Sequence, residues 1–251
     1  HQYLRTKEIG LFLEETVTAF EPEDNRVTVR METGKAITAD IVILSIGVAP
    51  ENRLAKEAGL QIGRLGGIFV NEYMQTSDPD IYAVGDAVEV KNPVTGKPAL
   101  IPLAGPANKQ ARIAADNIIH GNSRVYKGTI GTSIAKLFEM TVASAGASER
   151  LLAREGIEYM TSISHAGSHA GYYPGALPLS IKVNFAPDGR LLGAQVVGFD
   201  GVDKRVDLLA QVIRNEGTIY DLQEIEHAYA PPFSSAKDPV NMAGFIAENI
   251  L

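Results

Sequence analysis

The chain has 251 residues, enough for one large domain or two modest ones with a real core. Apolar residues make up 45% and charged residues 21%, the profile of a soluble globular protein, and no apolar run reaches the roughly 18 residues of a membrane span. The net charge of −7 and scattered basic residues disfavour nucleic acid and anionic membranes as partners, and the lack of cysteine removes disulfides, thiolate metal sites and a cysteine nucleophile within these residues.

The N-terminus lacks the layout of a signal peptide, so a cytoplasmic protein is the default expectation. Residues 1–48 alternate apolar and polar positions as short strands, turned at Glu21-Pro22-Glu23-Asp24-Asn25 and at Thr33-Gly34. Ile41-Val42-Ile43-Leu44 then reads as a buried strand broken by Gly47. Residues 49–121 change character. "ENRLAKEAGL" predicts a short helix closed by Gly59, and "GGIFVNEYMQT" is strand-like. In "TSDPDIYAVGDA" (76–87) a Ser-Asp-Pro-Asp turn leads to an apolar run, Ile81 to Val84, that stops on Gly85-Asp86. A buried parallel strand ending there would set a single carboxylate at the carboxyl edge of a sheet, where open α/β sheets bind ligands. Pro106 to Ile119 predicts a helix with proline in its first turn and Gly121 just past its end. Its small apolar positions Ala107, Ala111, Ala114, Ala115 and Ile118 would pack against a sheet or a ligand.

Residues 125–251 read as an antiparallel α+β unit, unlike the α/β pattern before it. "SIAKLFEMTVASAG" is strand-like, and Ser148 is the expected N-cap of a short helix. Leu179, Ile181, Val183 and Phe185 alternate into a Pro-Asp-Gly turn and a second strand from Leu191 to Val197, a β-hairpin. Residues 202–216 predict an amphipathic helix ended by Gly217. Its positions Val206, Leu209, Ala210, Val212 and Ile213 offer more apolar surface than one small sheet needs, which predicts a dimer. The five histidines show no HExxH spacing; His165 and His169 read as loop residues between glycines, and no metal site is expected.

Taken together, the three regions resemble the C-terminal half of the pyridine nucleotide-disulfide oxidoreductases. "SIGVAPEN" is similar to the end of that family's NAD(P)H domain, "TSDPDIYAVGDA" to its second flavin motif, and "IPLAGPANKQARIAADNI" to the flavin-contacting helix after it. Within the family, "YAPPFSSAKDPVNMAG" (229–244), preceded by "HAGYYPGA" (169–176), is similar to coenzyme A-disulfide reductases and NADH-dependent persulfide reductases. The resemblance implies three parts: 1–48, the tail of an NAD(P)H domain; 49–121, the second segment of a Rossmann-like FAD domain; and 125–251, a dimerisation domain.

It also implies sites. Gly85, Asp86, Ala87, Leu103, Ala104, Gly105, Gly47 and Phe233 would meet the cofactors, FAD and NAD(P)H, with Asp86 accepting hydrogen bonds from the ribityl hydroxyls. The helix start would turn its positive end, roughly half a charge, toward the flavin's pyrimidine edge. Tyr229, with Tyr173 or less favourably Tyr172 as companion, would reach across a homodimer interface to the partner's active-site sulfur; Phe233, Ser234 and Ser235 would line the flavin-side channel. Around His227 there is no His-Pro-Thr with a following glutamate, which points away from the dithiol relatives to a single-cysteine mechanism acting on coenzyme A disulfide or persulfide. NADH oxidases and peroxidases are the alternative, though their tryptophan-bearing C-terminal motif is missing. The GxGxxG loops and the redox cysteine of this family have no counterpart here, so the chain reads as a non-catalytic piece of a longer enzyme whose first half carries them.

Overall fold

The structure is a computed structural model covering residues 1–251, and it divides into two compact units, His1–Val48 and Ala49–Leu251. The first unit holds a short helix α1 (Gln2–Thr6) and an antiparallel meander of β1 (Val17–Glu23), β2 (Arg26–Met31) and β3 (Ala36–Ala39). Both turns fall where the sequence predicts them: Asp24 and Gly34 take positive φ. The expected buried strand at 41–44 does not form. Residues 41–48 are irregular, with Ile43 85% and Ile46 90% exposed. A strand needs a hydrogen-bonded neighbour, and β1–β3 pair only with one another.

In the second unit, α2 (Arg53–Glu57), β4 (Ile68–Phe69), β5 (Val88–Lys91), β6 (Pro98–Ala99) and α3 (Ala104–His120) come first. β4 runs parallel to β5, which pairs antiparallel with β6. Only Ile68 and Phe69 of the strand-like "GGIFVNEYMQT" become a strand. Ile81–Val84 is not the predicted strand either: a single bridge, Gln75 to Tyr82, is its only pairing, and Ile81 and Val84 stay exposed. The run is apolar enough for a sheet interior, yet no strand of these residues flanks it. Helix α3 starts two residues earlier than predicted and buries a different face. Gln110, Ala114 and Asn117 are inside, while Ala111, Ala115 and Ile118 face out. Asn117 explains the choice: its amide donates to the Tyr73 and Arg124 carbonyls and accepts from the Ser123 and Arg124 amides, tying the helix to the chain that leaves it.

The remaining residues build a five-stranded antiparallel sheet ordered β7-β8-β11-β10-β9, from β7 (Ser133–Leu137), β8 (Met140–Gly146), β9 (Met160–Gly167), β10 (Pro178–Phe185) and β11 (Leu191–Gly198), with α4 (Glu149–Glu155) between β8 and β9. The stretch read as one strand-like segment is thus a hairpin, turned at Phe138 with positive φ. Ser148 caps α4, its Oγ accepting from the Leu151 amide. In β10 the alternation is realised in full: Leu179, Ile181, Val183 and Phe185 are at most 1% exposed, and Ile181 faces Val196 across the hairpin.

Helices α5 (Val202–Arg214), α6 (Ile219–Glu224) and α7 (Pro239–Glu248) follow, and α5 and α7 lie against the sheet. Val202, Val206, Leu209 and Ile213 on α5 join the sheet's core, and Ala210 and Val212 pack beside them. The apolar surface assigned to a dimer is therefore covered within one chain, which corrects the reasoning behind that expectation. A Thr218–Asp221 capping box opens α6, and Asp238 with Asn241 opens α7. The Asn241 amide then donates to the carbonyls of Leu222, Gln223 and Ile225 where α6 ends. No helix is long and apolar enough to cross a membrane.

Candidate functional site

Two groups of residues stand out in the second unit. The first surrounds the start of α3. Leu103 is its N-cap and provides no side-chain cap, and Pro106 in the first turn has no N–H to satisfy, so the Ala104 and Gly105 amides mark an open helix N-terminus. Gly85 has φ +89°, a conformation that favours glycine, and its amide donates to Oε1 of the buried Gln110 at 2.7 Å. The Gly85–Asp86 turn is thereby tied to the second turn of α3, and the Asp86 carboxylate is exposed. The Ala87 carbonyl accepts from the Ile68 amide at 2.7 Å, anchoring the turn to β4. A Cβ built on Gly85 or Gly105 meets no atom within 4 Å, so the backbone here is open to an outside ligand. An exposed acceptor, free helical amides and bare glycine backbone fit a polyol chain attached to a ring that gains negative charge. A cavity of about 620 Å³ opens beside this helix, its rim carrying Lys109, Arg112, Lys127 and Arg214. Gly47, with φ +99° and an exposed backbone, belongs to the first unit.

The second group is built from two loops. One, residues 168–177, leaves β9 and returns to β10; the Ser168 amide donates to the Leu177 carbonyl at 2.8 Å and the Ser168 Oγ accepts from the Leu177 amide. The other joins α6 to α7. The Ala170 amide donates to the Ser234 carbonyl at 3.0 Å, which fastens one loop to the other. At their tips the Tyr172 and Tyr229 hydroxyls lie 2.8 Å apart, both side chains exposed. That hydrogen bond to Tyr229 holds the Tyr172 phenol above its ordinary pKa. The hydroxyl that meets Tyr229 is thus that of Tyr172, whereas Tyr173, the companion preferred from the sequence, has its ring edge-on to His169 with centroids 5.7 Å apart. Phe233 is 67% exposed, and its carbonyl accepts from Lys204 Nζ. Ser235 bonds the Lys237 carbonyl, and the Lys237 ammonium lies over the Phe245 ring.

Beneath the tyrosines lies a buried ion pair that the sequence reading passed over. Arg205 (1% exposed side chain) and Asp238 (0%) meet through Nε–Oδ1 at 3.0 Å and Nη2–Oδ2 at 2.7 Å. Asp238 also accepts from Ser234 Oγ at 2.6 Å and from the Val240 amide at 2.9 Å. Burial works to raise its pKa, but these donors outweigh it and hold the carboxyl below its usual range. His227 Nε2, 4.0 Å from Asp238 Oδ1, is buried without a hydrogen-bond partner, and burial pushes the imidazole below its ordinary value despite the nearby carboxylate. A signal for the pair existed: Arg205 interrupts the apolar stripe of Val202, Val206 and Leu209, and a charge on such a face needs a partner inside.

Comparison with known proteins bears on both groups. Residues 1–111 match the family model described as pyridine nucleotide-disulphide oxidoreductase, and residues 132–239 match that family's dimerisation domain. A coenzyme A disulfide reductase of Staphylococcus epidermidis is 38% identical over 88% of this chain, which covers 50% of that protein. The crystal structure of reduced CoADR-RHD from Bacillus anthracis superposes with a TM-score of 0.95 at 50% identity, covering all of this chain and 45% of the other. The NAD-dependent persulfide reductase of A. fulgidus superposes at 0.96 with 40% identity, covering 99% and 46%. The chain spans about half the length of the curated relatives it matches.

Proposed function

The chain belongs to the pyridine nucleotide-disulphide oxidoreductase family, whose cofactors are FAD and NAD(P)H, and from that we propose that it forms the second half of an NAD(P)H-dependent reductase of coenzyme A disulfide or a persulfide. The observation that carries this reading is the Tyr172–Tyr229 pair: two exposed phenols sharing one hydrogen bond. Such a pair is suited to donating a hydrogen bond to a sulfur anion. In a homodimer formed through residues 132–239, the pair would serve the active-site cysteine of the partner subunit.

Bound FAD would relay two electrons from NAD(P)H to sulfur; the disulfide is cleaved to two thiols, taking up one proton beyond the hydride. Asp86 would accept from the ribityl hydroxyls, and the Ala104 and Gly105 amides would face the flavin's pyrimidine edge. Gln110 holds the turn carrying Asp86 at the distance α3 sets. Tyr229 would donate to the thiolate, with Tyr172 orienting its hydroxyl. The cationic rim beside α3 would suit phosphate groups, which a coenzyme A substrate carries. The active protein would unite residues 1–251 with a first half supplying the pyrophosphate loops and one cysteine. A water-forming oxidase also shares the fold, at 28% identity, but the greater likeness to the disulfide and persulfide reductases supports sulfur as the electron acceptor.

The test is to join the chain to the first half of the S. epidermidis reductase, then measure flavin content and NAD(P)H oxidation driven by coenzyme A disulfide. The isolated chain should bind FAD weakly or not at all, and the joined protein should hold flavin and reduce the disulfide. Tight stoichiometric FAD binding by residues 1–251 alone, or a flavin-loaded hybrid that consumes only oxygen, would contradict the reading.

A further inference from the structure

What keeps the two tyrosines together lies below them. Starting from α5, Arg205 Nη1 donates to the Gly201 carbonyl at 3.0 Å, and Nη2 donates to the Ser168 carbonyl at 2.9 Å, at the root of the Tyr172 loop. The same guanidinium grips Asp238, at the root of the Tyr229 loop. From Asp238 the path returns through Ser234 Oγ, and the Ser234 carbonyl takes the Ala170 amide, two residues from Tyr172. Arg205, Ser168, Ala170, Ser234 and Asp238 thus close a ring of hydrogen bonds spanning both loops. Gly201, with φ +66°, leaves the space; a Cβ there would come within 2.5 Å of Arg205 Nη1.

We propose that Arg205 and Asp238 are positioning residues for the tyrosine pair: their buried fork sets the 168–177 loop against the 229–238 segment and so places the Tyr172 and Tyr229 hydroxyls within hydrogen-bond distance. Filling that space needs only an apolar side chain. Fixing two loops in angle as well as distance calls for a planar donor with bonds in several directions, which arginine supplies and lysine does not. Any catalytic consequence rests on the function proposed above; the geometric claim does not.

Residues 1–251 labelled with carbon-13 tyrosine permit each phenol to be titrated by NMR, with Tyr172→Phe and Tyr229→Phe assigning the two signals. In the wild-type chain Tyr172 should titrate above the ordinary phenol value, and Tyr229→Phe should return it there. Arg205→Lys keeps the charge and removes the fork. It should return Tyr172 to the ordinary value while the signals of the tyrosines outside the Tyr172–Tyr229 pair stay in place. A folded Arg205→Lys protein that retains the raised Tyr172 titration would overturn the proposal. Should that variant not fold, Asp238→Asn decides: it keeps the shape of the side chain and breaks one of the two bonds of the fork, because an amide nitrogen cannot accept from the guanidinium. Movement of Tyr172 toward the ordinary value supports the proposal, and no movement overturns it.

In the joined enzyme, adding Arg205→Lys to Tyr229→Phe should slow disulfide reduction less than about two-fold further, because both act through one hydroxyl. Full additivity would show that Arg205 acts elsewhere. Should Tyr229→Phe itself leave disulfide reduction unchanged, the proposed function fails, while the titration still judges the positioning claim.

Discussion

Residues 41–48 carry more apolar side chains than strand β10, and the two end in opposite environments. Ile181, Val183 and Phe185 are 0% exposed, whereas Ile41, Ile43, Leu44, Ile46 and Val48 are all at least 64% exposed. The difference lies in neighbours. β10 has β9 and β11 on its two edges and α7 across one face, so its backbone and side chains are satisfied together. Residues 41–48 have no strand beside them, and Ile81–Val84 has one bridge. An apolar run states a need for burial but does not supply the partner. Exposed apolar runs of this kind mark interaction surfaces.

The contrast can be broken by substitution. Phe185→Ala should destabilise the second unit by about 3–5 kcal/mol, the range for emptying a large aromatic from a closed core. Ile43→Ser should change stability by less than about 0.5 kcal/mol, as expected of an exposed position. Denaturant unfolding of both variants checks the pair. Comparable losses would mean that residues 41–48 are buried in solution.

A smaller effect sharpens the comparison at a polar position. His227 has a folded-state pKa lowered from 6.5 by burial, so above that pH both folded and unfolded states are neutral and stability is complete. As pH falls through 6.5 toward the lower folded value, the unfolded chain takes up the proton first and stability declines. Unfolding followed between about pH 7 and pH 5 should show this decline in the wild type and a shallower one in His227→Gln. Equal slopes would place His227 in contact with water.

Much of the fold was legible wherever the signal is local. The β10–β11 hairpin announces itself through alternation and Pro-Asp-Gly; Ser148 and Gly121 mark helix ends by backbone chemistry that needs no distant partner. The rest depends on residues far apart in the chain. The buried face of α3 follows Asn117, whose partners include Tyr73, 44 residues away. That Tyr172 meets Tyr229 while Tyr173 turns to His169 is set by the Ala170–Ser234 bond and the Arg205–Asp238 pair, and adjacent tyrosines carry no mark of which turns where. At the flavin-type turn, Gly85-Asp86 was readable as a motif, but Gln110, which holds it, was not, because its role exists only once α3 lies alongside.

The most direct measurement is stopped-flow kinetics on the joined enzyme with Tyr229→Phe, following flavin reduction by NAD(P)H and reoxidation by disulfide separately. Phenylalanine keeps the ring and removes one hydroxyl. The account expects reoxidation to slow roughly ten- to a thousand-fold, the range for losing a proton donor or one transition-state hydrogen bond, with flavin reduction nearly unchanged. Equal slowing of both steps would show that Tyr229 acts through structure, and no change in either would contradict its assignment to the sulfur side of the reaction.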